Sequence, residues 1–321
     1  MLSVLLATKN RARLLQRVLE SFCSLEVPDS AWKLIVVDNG STDDTTEVLE
    51  SFRGRLPLQA LVEPNQGKNA ALNAGLRFIE GDLTVLTDDD VFPRPDWLVQ
   101  LRRAADAHPE FGILGGAVVA RWEATPPRWV EWVDLSPVFT ITDPSRMEGE
   151  TLPLLVYGPN MAVRSTVFEA GMRFNPSVGP CGSNYAMGSE SEFLSRLGKL
   201  GHRAFFVPQA VVEHFVRKDQ LATGWVMRRA FRYGRGFFRL LRMDLLEENR
   251  TILDVPKTLI REGIKGCLKW CKALLSLRLE KIFRARYQLN FIRGQIVEAR
   301  RIVRERRLQI HQPVATHIGE K

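Results

Sequence analysis

From Ser3 to Leu86 the chain alternates between two hydrophobic periods, and this alternation restricts it to few architectures. "SVLLAT" and "KLIVVDNGSTDDT" are short apolar runs rich in β-branched residues, each ending in polar or turn residues. Between them, "RARLLQRVLESFCSL" sets Leu14, Leu15, Val18, Leu19 and Phe22 at helical spacing. "TTEVLESF" then reads as helix, "LQALVEP" as strand, "GKNAALNAGLRFIEG" as helix and "DLTVLTDDD" as strand. Strands separated by helices of about 10–15 residues form βαβ units with parallel strands. The expected class is α/β, with a mostly parallel central sheet flanked by helices.

After residue 95 the rhythm loosens. "PDWLVQLRRAADAHP" reads as helix and "GILGGAVVARW" as strand. Residues 123–153 read as irregular and hold Trp129, Trp132, Phe139 and several prolines. A long irregular segment inside a compact domain is often a functional loop. Beyond Thr223 almost everything reads as basic, partly amphipathic helix. Charge divides the chain in the same place. Residues 1–220 hold 22 Lys and Arg against 28 Asp and Glu, whereas residues 221–321 hold 23 against 9. The expected organisation is an acidic α/β domain over 1–220 and a basic helical extension over 221–321. Such an extension suits an anionic surface, a membrane face or a phosphorylated ligand. The acidic front half gives no support to nucleic acid as the partner. No apolar run approaches the roughly 18 residues of a membrane span. The opening "MLSVLLATKNR" carries its positive charges after the apolar stretch, so it reads as a first strand rather than a signal peptide. Cys23, Cys181, Cys267 and Cys271 form no C-x-x-C pair and read as structural thiols of a reducing compartment.

In open parallel sheets, ligands bind at the carboxyl ends of the strands. Two acidic groups sit at such ends: Asp38 in "IVVDNGSTDD", and the run Asp88, Asp89 and Asp90 in "LTDDDVFPRPDWL". An Asx turn and helix cap account for one carboxylate at each place. They do not account for three in a row, which repel one another at neutral pH. Carboxylates there can accept hydrogen bonds from a base or ribose, or ligate a hard cation that offsets the repulsion and bridges to phosphates.

"SVLLATKNR", "VVDNGSTDDT", "NQGKNAALNAGL", "VLTDDDVFPRPDWL", "GPNMAVRSTVF" and "GSESEFLSRLGKLGHRAFFVPQAVVEH" resemble, in order and spacing, the motifs of family 2 glycosyltransferases, inverting enzymes with the GT-A fold. The resemblance covers roughly residues 2–217. It implies a GT-A fold and transfer of a sugar from a nucleotide-diphosphate sugar, with uridine diphosphate the common donor nucleotide. The acceptor is a hydroxyl of a glycan or a lipid-linked saccharide, as in bacterial surface polysaccharide synthesis. By resemblance, Thr8 and Asn10 wall the nucleotide pocket, Asp38 accepts from the base, and Lys68 approaches the base or diphosphate. The acidic run looks like the family's Asp-x-Asp motif. Asp88 then faces the ribose, Asp90 holds Mn²⁺ or Mg²⁺, and Asp89 is the ambiguous middle residue counted with the donor site.

The family usually opens a helix with a Glu-Asp pair whose Asp is the general base. Here "GSESEFLSRL" places Glu190 at that position with Ser189 before it, and Glu192 remains an alternative. The implied reaction is a single displacement in which the base deprotonates the acceptor hydroxyl and the metal stabilises charge on the leaving diphosphate. His214 stands where relatives reach the metal or diphosphate; Arg217, Lys218, Arg228, Arg229 and Arg232 follow it as cations for the diphosphate or as a solvated helix face. Trp122, Trp129, Trp132 and Phe139 either stack on sugar rings or fill the core. Asn160 either reaches the acceptor or closes a turn. "IKGCLKWCKALLSLRLEKIFRARYQL" reads as one helix with Ile264, Leu268, Cys271, Leu275, Leu279 and Ile282 on one face, either a membrane-surface helix or one packed on the catalytic domain. The expected location is cytoplasmic, at the inner face of a membrane. Two other readings stand beside this one: a nucleotidyltransferase, disfavoured because "ATKNRARLL" has no glycine-rich phosphate loop, and a catalytically degenerate nucleotide-sugar-binding scaffold.

Overall fold

A computed structural model describes residues 1–28, 30–180, 185–248 and 251–310. Cys181 lies outside the described residues. The elements run β1 (Leu2–Thr8), α1 (Ala12–Phe22), β2 (Trp32–Asp38), α2 (Thr45–Ser51), β3 (Leu58–Val62), α3 (Lys68–Gly75), β4 (Leu83–Leu86), β5 (Val91–Pro93), α4 (Trp97–Ala107) and β6 (Ile113–Trp122). They continue with α5 (Leu135–Phe139), β7 (Gly149–Thr151), β8 (Met161–Arg164), α6 (Ser165–Glu169), α7 (Ser189–Lys199) and β9 (Ala204–Val216). The basic region contains α8 (Thr223–Leu241), α9 (Leu245–Glu248), β10 (Thr251–Ile252), β11 (Val255–Pro256), α10 (Lys257–Leu275) and α11 (Leu279–Ile310). The chain divides into two compact units, the first ending at Trp225 and the second beginning at Val226.

The first unit is α/β. Its sheet has the order β3-β2-β1-β4-β8-β6-β9-β5, with β7 paired to β9. The first four strands in that order are parallel, with Thr8 level with Asp38 at the carboxyl ends of β1 and β2. Beyond β4 the sheet is mixed: β8 runs antiparallel to β4 and β6, β6 and β9 are parallel, and β5 and β7 run antiparallel to β9. The apolar side chains of β1, β2 and β4 are buried on both faces, as a sheet covered on two sides requires. On one face Val4, Leu6 and Val85 pack with Leu15, Val18, Leu19 and Trp97; on the other, Leu5, Val37 and Leu86 pack with Leu72, Phe174 and Phe193.

This topology creates the crevice. β4 ends at Leu86, and the acidic run turns at once into β5, where Val91 lies opposite His214 of β9. The carboxyl ends of β1, β2 and β4 therefore meet the second half of β9.

The second unit is helical. Gly234 of α8 and Gly294 of α11 let the two backbones touch: a Cβ on either would stand 2.0 Å from a main-chain oxygen of the other helix, Phe291 or Phe231. Beside this crossing, Glu298 is fully buried and pairs with Arg235, at 2.6 Å, and with Arg239. The single amphipathic helix expected around residues 264–289 is two helices. α10 ends at Leu275 and α11 starts at Leu279, with Leu277 at φ +52° in the turn between them. Ile264, Leu268, Cys271 and Leu275 lie on the side of α10 opposite the buried Leu259, Gly266 and Ala273, and they are exposed; Ile282 belongs to α11 and is half-buried. Among the described residues, no helix is long and apolar enough to cross a membrane. Cys23, Cys267 and Cys271 are free and exposed.

Candidate active site

Three groups of side chains converge at the carboxyl ends of the parallel strands. The outermost is a lashing between loops. Asn10, just past β1 in a left-handed conformation at φ +52°, accepts from the backbone N–H of Thr42 at 2.7 Å, and its own N–H donates to Ser41 Oγ at 2.8 Å. Asp38 at the end of β2 is buried; its Oδ1 accepts from the N–H of Ser41 at 2.9 Å and from Ser41 Oγ at 2.5 Å. The Asx turn expected of "DNGSTDD" is thus formed, and Asn10 extends it across to the β1–α1 loop.

The second group surrounds Asp89 and Asp90, both buried. Thr8 Oγ1 donates to Asp89 Oδ2 at 2.8 Å. Arg11 Nη1 lies 2.7 Å from Asp89 Oδ1 and 2.8 Å from Asp90 Oδ2. His214 Nε2 lies 3.5 Å from Asp90 Oδ1, while its Nδ1 is 2.6 Å from the carbonyl oxygen of Phe139. That oxygen can only accept, so Nδ1 carries the proton and Nε2 is directed at Asp90. Burial pushes the Asp89 carboxyl up to about 6, with Asp90 and Asp88 adding to the rise against Arg11 and Thr8. Burial opposes ionisation of Asp90 as well, but His214 and Arg11 outweigh it and hold its carboxyl well below the usual range. Burial lowers the basicity of His214, and Asp90 with the Phe139 carbonyl reverses the sign and raises it.

The third group is a bridge. Lys68 at the start of α3 places Nζ 2.5 Å from Asp88 Oδ1 and 2.6 Å from Glu190 Oε1 at the start of α7. Burial opposes the charge of Lys68, yet Asp88 and Glu190 together raise its pKa. Glu190 lies against Gly158: a Cβ there would stand 2.5 Å from Glu190 Cγ. Glu192 is engaged elsewhere, with Arg196 Nε at 2.7 Å from its Oε1.

The expected site residues therefore fall together in the crevice. Thr8, Asp89, Asp90 and His214 form one cluster, Lys68, Asp88 and Glu190 a second, and Asn10 and Asp38 the loop lashing. Lys68 meets carboxylates. Asn160 does not reach an acceptor: it is fully buried, accepts from Trp97 Nε1 at 2.8 Å, and donates to the carbonyls of Ala117 at 2.9 Å and Ala210 at 2.8 Å. Phe139 is buried among Trp122, Trp129 and Trp225, with ring centroids 5.4, 6.3 and 5.9 Å away, so these rings brace the carbonyl that orients His214. Trp132 is half-buried in the Arg128–Trp132 3-10 turn. Arg228, Arg229 and Arg232 lie on α8 in the second unit. Arg11 joins this cluster although its sequence neighbourhood does not single it out. Its only signal was a cation immediately after the strand whose neighbour ends in the acidic run. A cleft of about 430 Å³ beside it is lined by Asn10, Arg11, Arg13, Asp43 and Arg217, among others.

Mn²⁺ or Mg²⁺ fits these residues. Two ligands about 2.1 Å from one ion stand roughly 3.0–3.5 Å apart, which matches Asp90 Oδ1 and His214 Nε2. The neutral His214 tautomer leaves Nε2 free to coordinate. Asp88, Asp89, Asp90 and Glu190 set four carboxylates against the cations Arg11 and Lys68 and the titratable His214, so the cluster retains negative charge for a cation. Among the described residues, no group of three or more His, Cys, Asp or Glu side chains is placed to hold a metal. Further ligands would come from the diphosphate and water.

The family model described as glycosyl transferase family 2 matches residues 3–171. Glycosyltransferase AglE of Haloferax volcanii is 26% identical over 252 residues, covering 77% of this chain and 76% of that protein. The glucosyl-dolichyl phosphate glucuronosyltransferase of the same organism is 24% identical over 248 residues, covering 74% and 77%. Among solved structures, the mannosyltransferase PcManGT from Pyrobaculum calidifontis, in complex with GDP-Man and Mn²⁺, superposes with a TM-score of 0.62 at 21% identity, covering 92% of this chain and 86% of that one. The likeness to PcManGT is one of fold, the GT-A architecture.

Proposed function

The chain belongs to glycosyl transferase family 2 and is a glycosyltransferase, and from that premise we propose that it moves a sugar from a nucleoside-diphosphate donor to a hydroxyl of a glycan or lipid-linked acceptor with inversion, using Glu190 as the base. The observation that carries this reading is the convergence of Asp88, Asp89, Asp90, His214 and Glu190 at the crevice. Thr8, Asn10 and Asp38 form the wall for the nucleoside, and Asp88 and Asp89 complete the donor side. Asp90 and His214 would hold Mn²⁺ or Mg²⁺, which when bound would supply Lewis-acid stabilisation of the leaving diphosphate. Arg11, Arg13 and Arg217 around the cleft suit the same phosphates.

In the reaction, Glu190 takes the proton of the acceptor hydroxyl. The acceptor oxygen bonds to the anomeric carbon from the face opposite the diphosphate. The bond from that carbon to the phosphate oxygen breaks, and its electron pair leaves with the nucleoside diphosphate. One displacement inverts the centre, and a second carboxylate nucleophile has no part in it. Calorimetric titration with UDP, GDP, dTDP and CDP, each with and without Mn²⁺, tests the donor side. UDP is the expected nucleotide, bound with metal and lost in Asp90→Asn; binding of none of the four overturns the reading and leaves a scaffold.

The exposed face of α10 and the turn after it support a peripheral membrane location. Ile264, Leu268 and Leu275 on the helix and Leu277 and Leu279 in and after the turn are exposed apolar groups. Residues 257–284 carry eight Lys and Arg against two Glu. An apolar stripe bordered by cations suits an anionic membrane surface, where a lipid-linked acceptor would reside. Flotation with vesicles tests it: the full chain should rise with phosphatidylserine-containing vesicles and not with pure phosphatidylcholine, and no binding to either removes the membrane from the proposal.

A further inference from the structure

Arg11 stands where two kinds of anion compete for one cation. It is the N-cap of α1, and its carbonyl oxygen accepts from the N–H groups of Leu14, at 2.9 Å, and Leu15, at 2.8 Å, so the helix holds its main chain. Its side chain crosses to the acidic run, where Nη1 alone makes both bonds, 2.7 Å to Asp89 Oδ1 and 2.8 Å to Asp90 Oδ2. Among the described residues, Nε and Nη2 make no hydrogen bond. The side chain is 35% exposed and borders the cleft that Arg13 and Arg217 also line. A guanidinium presents a planar fork of N–H donors, the geometry that grips a phosphate in bidentate fashion.

The two carboxylates keep other partners of their own. Asp89 Oδ2 accepts from Thr8 Oγ1 at 2.8 Å. The carbonyl oxygen of Asp90 accepts from the N–H of Phe215 at 2.8 Å, and its Oδ1 lies 3.5 Å from His214 Nε2. Arg11 therefore takes the oxygen of Asp90 that faces away from the metal pair. A guanidinium on one oxygen of a carboxylate repels a dication on the other. The charge that satisfies the acidic run in the absence of a donor thus works against the metal.

We propose that Arg11 serves two anions in turn: without a donor it is the counter-ion of Asp89 and Asp90 and holds the metal off Asp90, and with a donor its guanidinium passes to the diphosphate and opens Asp90 to the cation. The inference rests on Asp90 and His214 being the metal's ligands. The exchange needs only rotation of the side chain, because α1 fixes the main chain. Thr8 keeps its bond to Asp89, and the dication replaces the charge that Asp90 loses. Nucleotide then raises metal affinity, and metal raises nucleotide affinity by the same factor.

The experiment compares Arg11→Gln, Arg11→Lys and Asp90→Asn with the parent, with melting curves confirming that each folds. Electron paramagnetic resonance reads Mn²⁺ affinity without nucleotide, and calorimetry reads UDP affinity in EDTA. In Arg11→Gln the two should move in opposite directions, Mn²⁺ tighter by about fivefold and UDP weaker by about tenfold. Arg11→Lys keeps the charge and carries the test if Arg11→Gln does not fold. Its Mn²⁺ affinity should stay within about twofold of the parent, while UDP weakens about threefold because an ammonium has no bidentate fork. Unchanged or weaker Mn²⁺ binding in Arg11→Gln would make Arg11 a fixed part of the acidic run and overturn the proposal. So would unchanged UDP affinity in either Arg11 variant. Asp90→Asn, titrated with Mn²⁺ in the presence of UDP, separates a deeper failure: affinity equal to the parent's there overturns the metal assignment itself. No UDP binding by the parent, with Mn²⁺ present, overturns the donor reading instead.

Discussion

The hydroxyl of Ser189 donates to Oδ1 of Asn69, and both side chains are buried. The two residues flank the Lys68–Glu190 pair, so a neutral hydrogen bond and an ion pair run in parallel between the starts of α3 and α7. Position 189 needs a donor for that contact. A carboxylate there would face the Asn69 side-chain oxygen with no proton to give, so the small hydroxyl follows from the contact it makes.

Glu190→Gln keeps the shape of the side chain and removes its basicity. Transfer should fall about 100- to 10,000-fold, the span of a lost general base, while nucleotide affinity stays within about twofold. Steady-state kinetics and calorimetry on one preparation check both halves.

Asp90→Asn and His214→Ala should each weaken Mn²⁺ binding by at least about tenfold, because on the proposed reading each removes a protein ligand. Electron paramagnetic resonance titration of free Mn²⁺ in the presence of nucleoside diphosphate reads this without reference to turnover. Unchanged affinity in both variants would move the metal away from this pair.

Gly158→Ala tests the floor beneath the base. The new Cβ would stand 2.5 Å from Glu190 Cγ, so the carboxylate must shift. A displacement near 1 Å costs up to about 100-fold in rate, and nucleotide binding should survive. Equal kcat in the variant and the parent would show that Glu190 reacts from another position.

Glu298→Ala should destabilise the helical unit by about 3–5 kcal/mol, because it removes the carboxylate that pairs with Arg235, itself only 1% exposed, and with Arg239. Gly294→Val should be comparably severe through its clash with the Phe231 carbonyl. Denaturant melts followed by circular dichroism measure both; a loss below about 1 kcal/mol for Glu298→Ala would show that water reaches Arg235.

Acid should loosen the catalytic unit in part through Asp82. Burial raises its pKa, but the bond from Arg102 and the charges of Arg102 and the N-terminus outweigh that and lower it. A depressed folded value means that the stabilisation is present above the unfolded value, about 3.9, and lost as pH falls through the folded one. Thermal melts of Asp82→Asn should therefore show a smaller drop in Tm below about pH 4 than those of the parent.

Much of this site was legible because its parts lie at predictable places in a βαβ sheet. Asp38 and Asp88 follow apolar runs, and parallel strands must bring their carboxyl ends together. What stayed hidden depends on partners distant in sequence. Arg11 reads as one of several cations near the first helix until the acidic run, 78 residues on, is folded against it. Asn160 sits before a strand like any turn residue, and Trp97, its partner, is 63 residues away. The antiparallel half of the sheet comes from β5, β7 and β8, three or four residues each, too short to show alternation. The break after α10 was invisible for another reason: "LLSLRL" holds neither glycine nor proline, so the helical period runs straight through Leu277.

The absent side chain at Gly158 and the length of the acid at 190 occupy the same few cubic ångströms. Shortening the acid to aspartate would not by itself make room, because the Cγ that a Cβ at 158 would meet at 2.5 Å persists as the aspartate carboxyl carbon. The bare backbone at 158 is thus tied to an acid at 190 of either length, and the two positions can change only together.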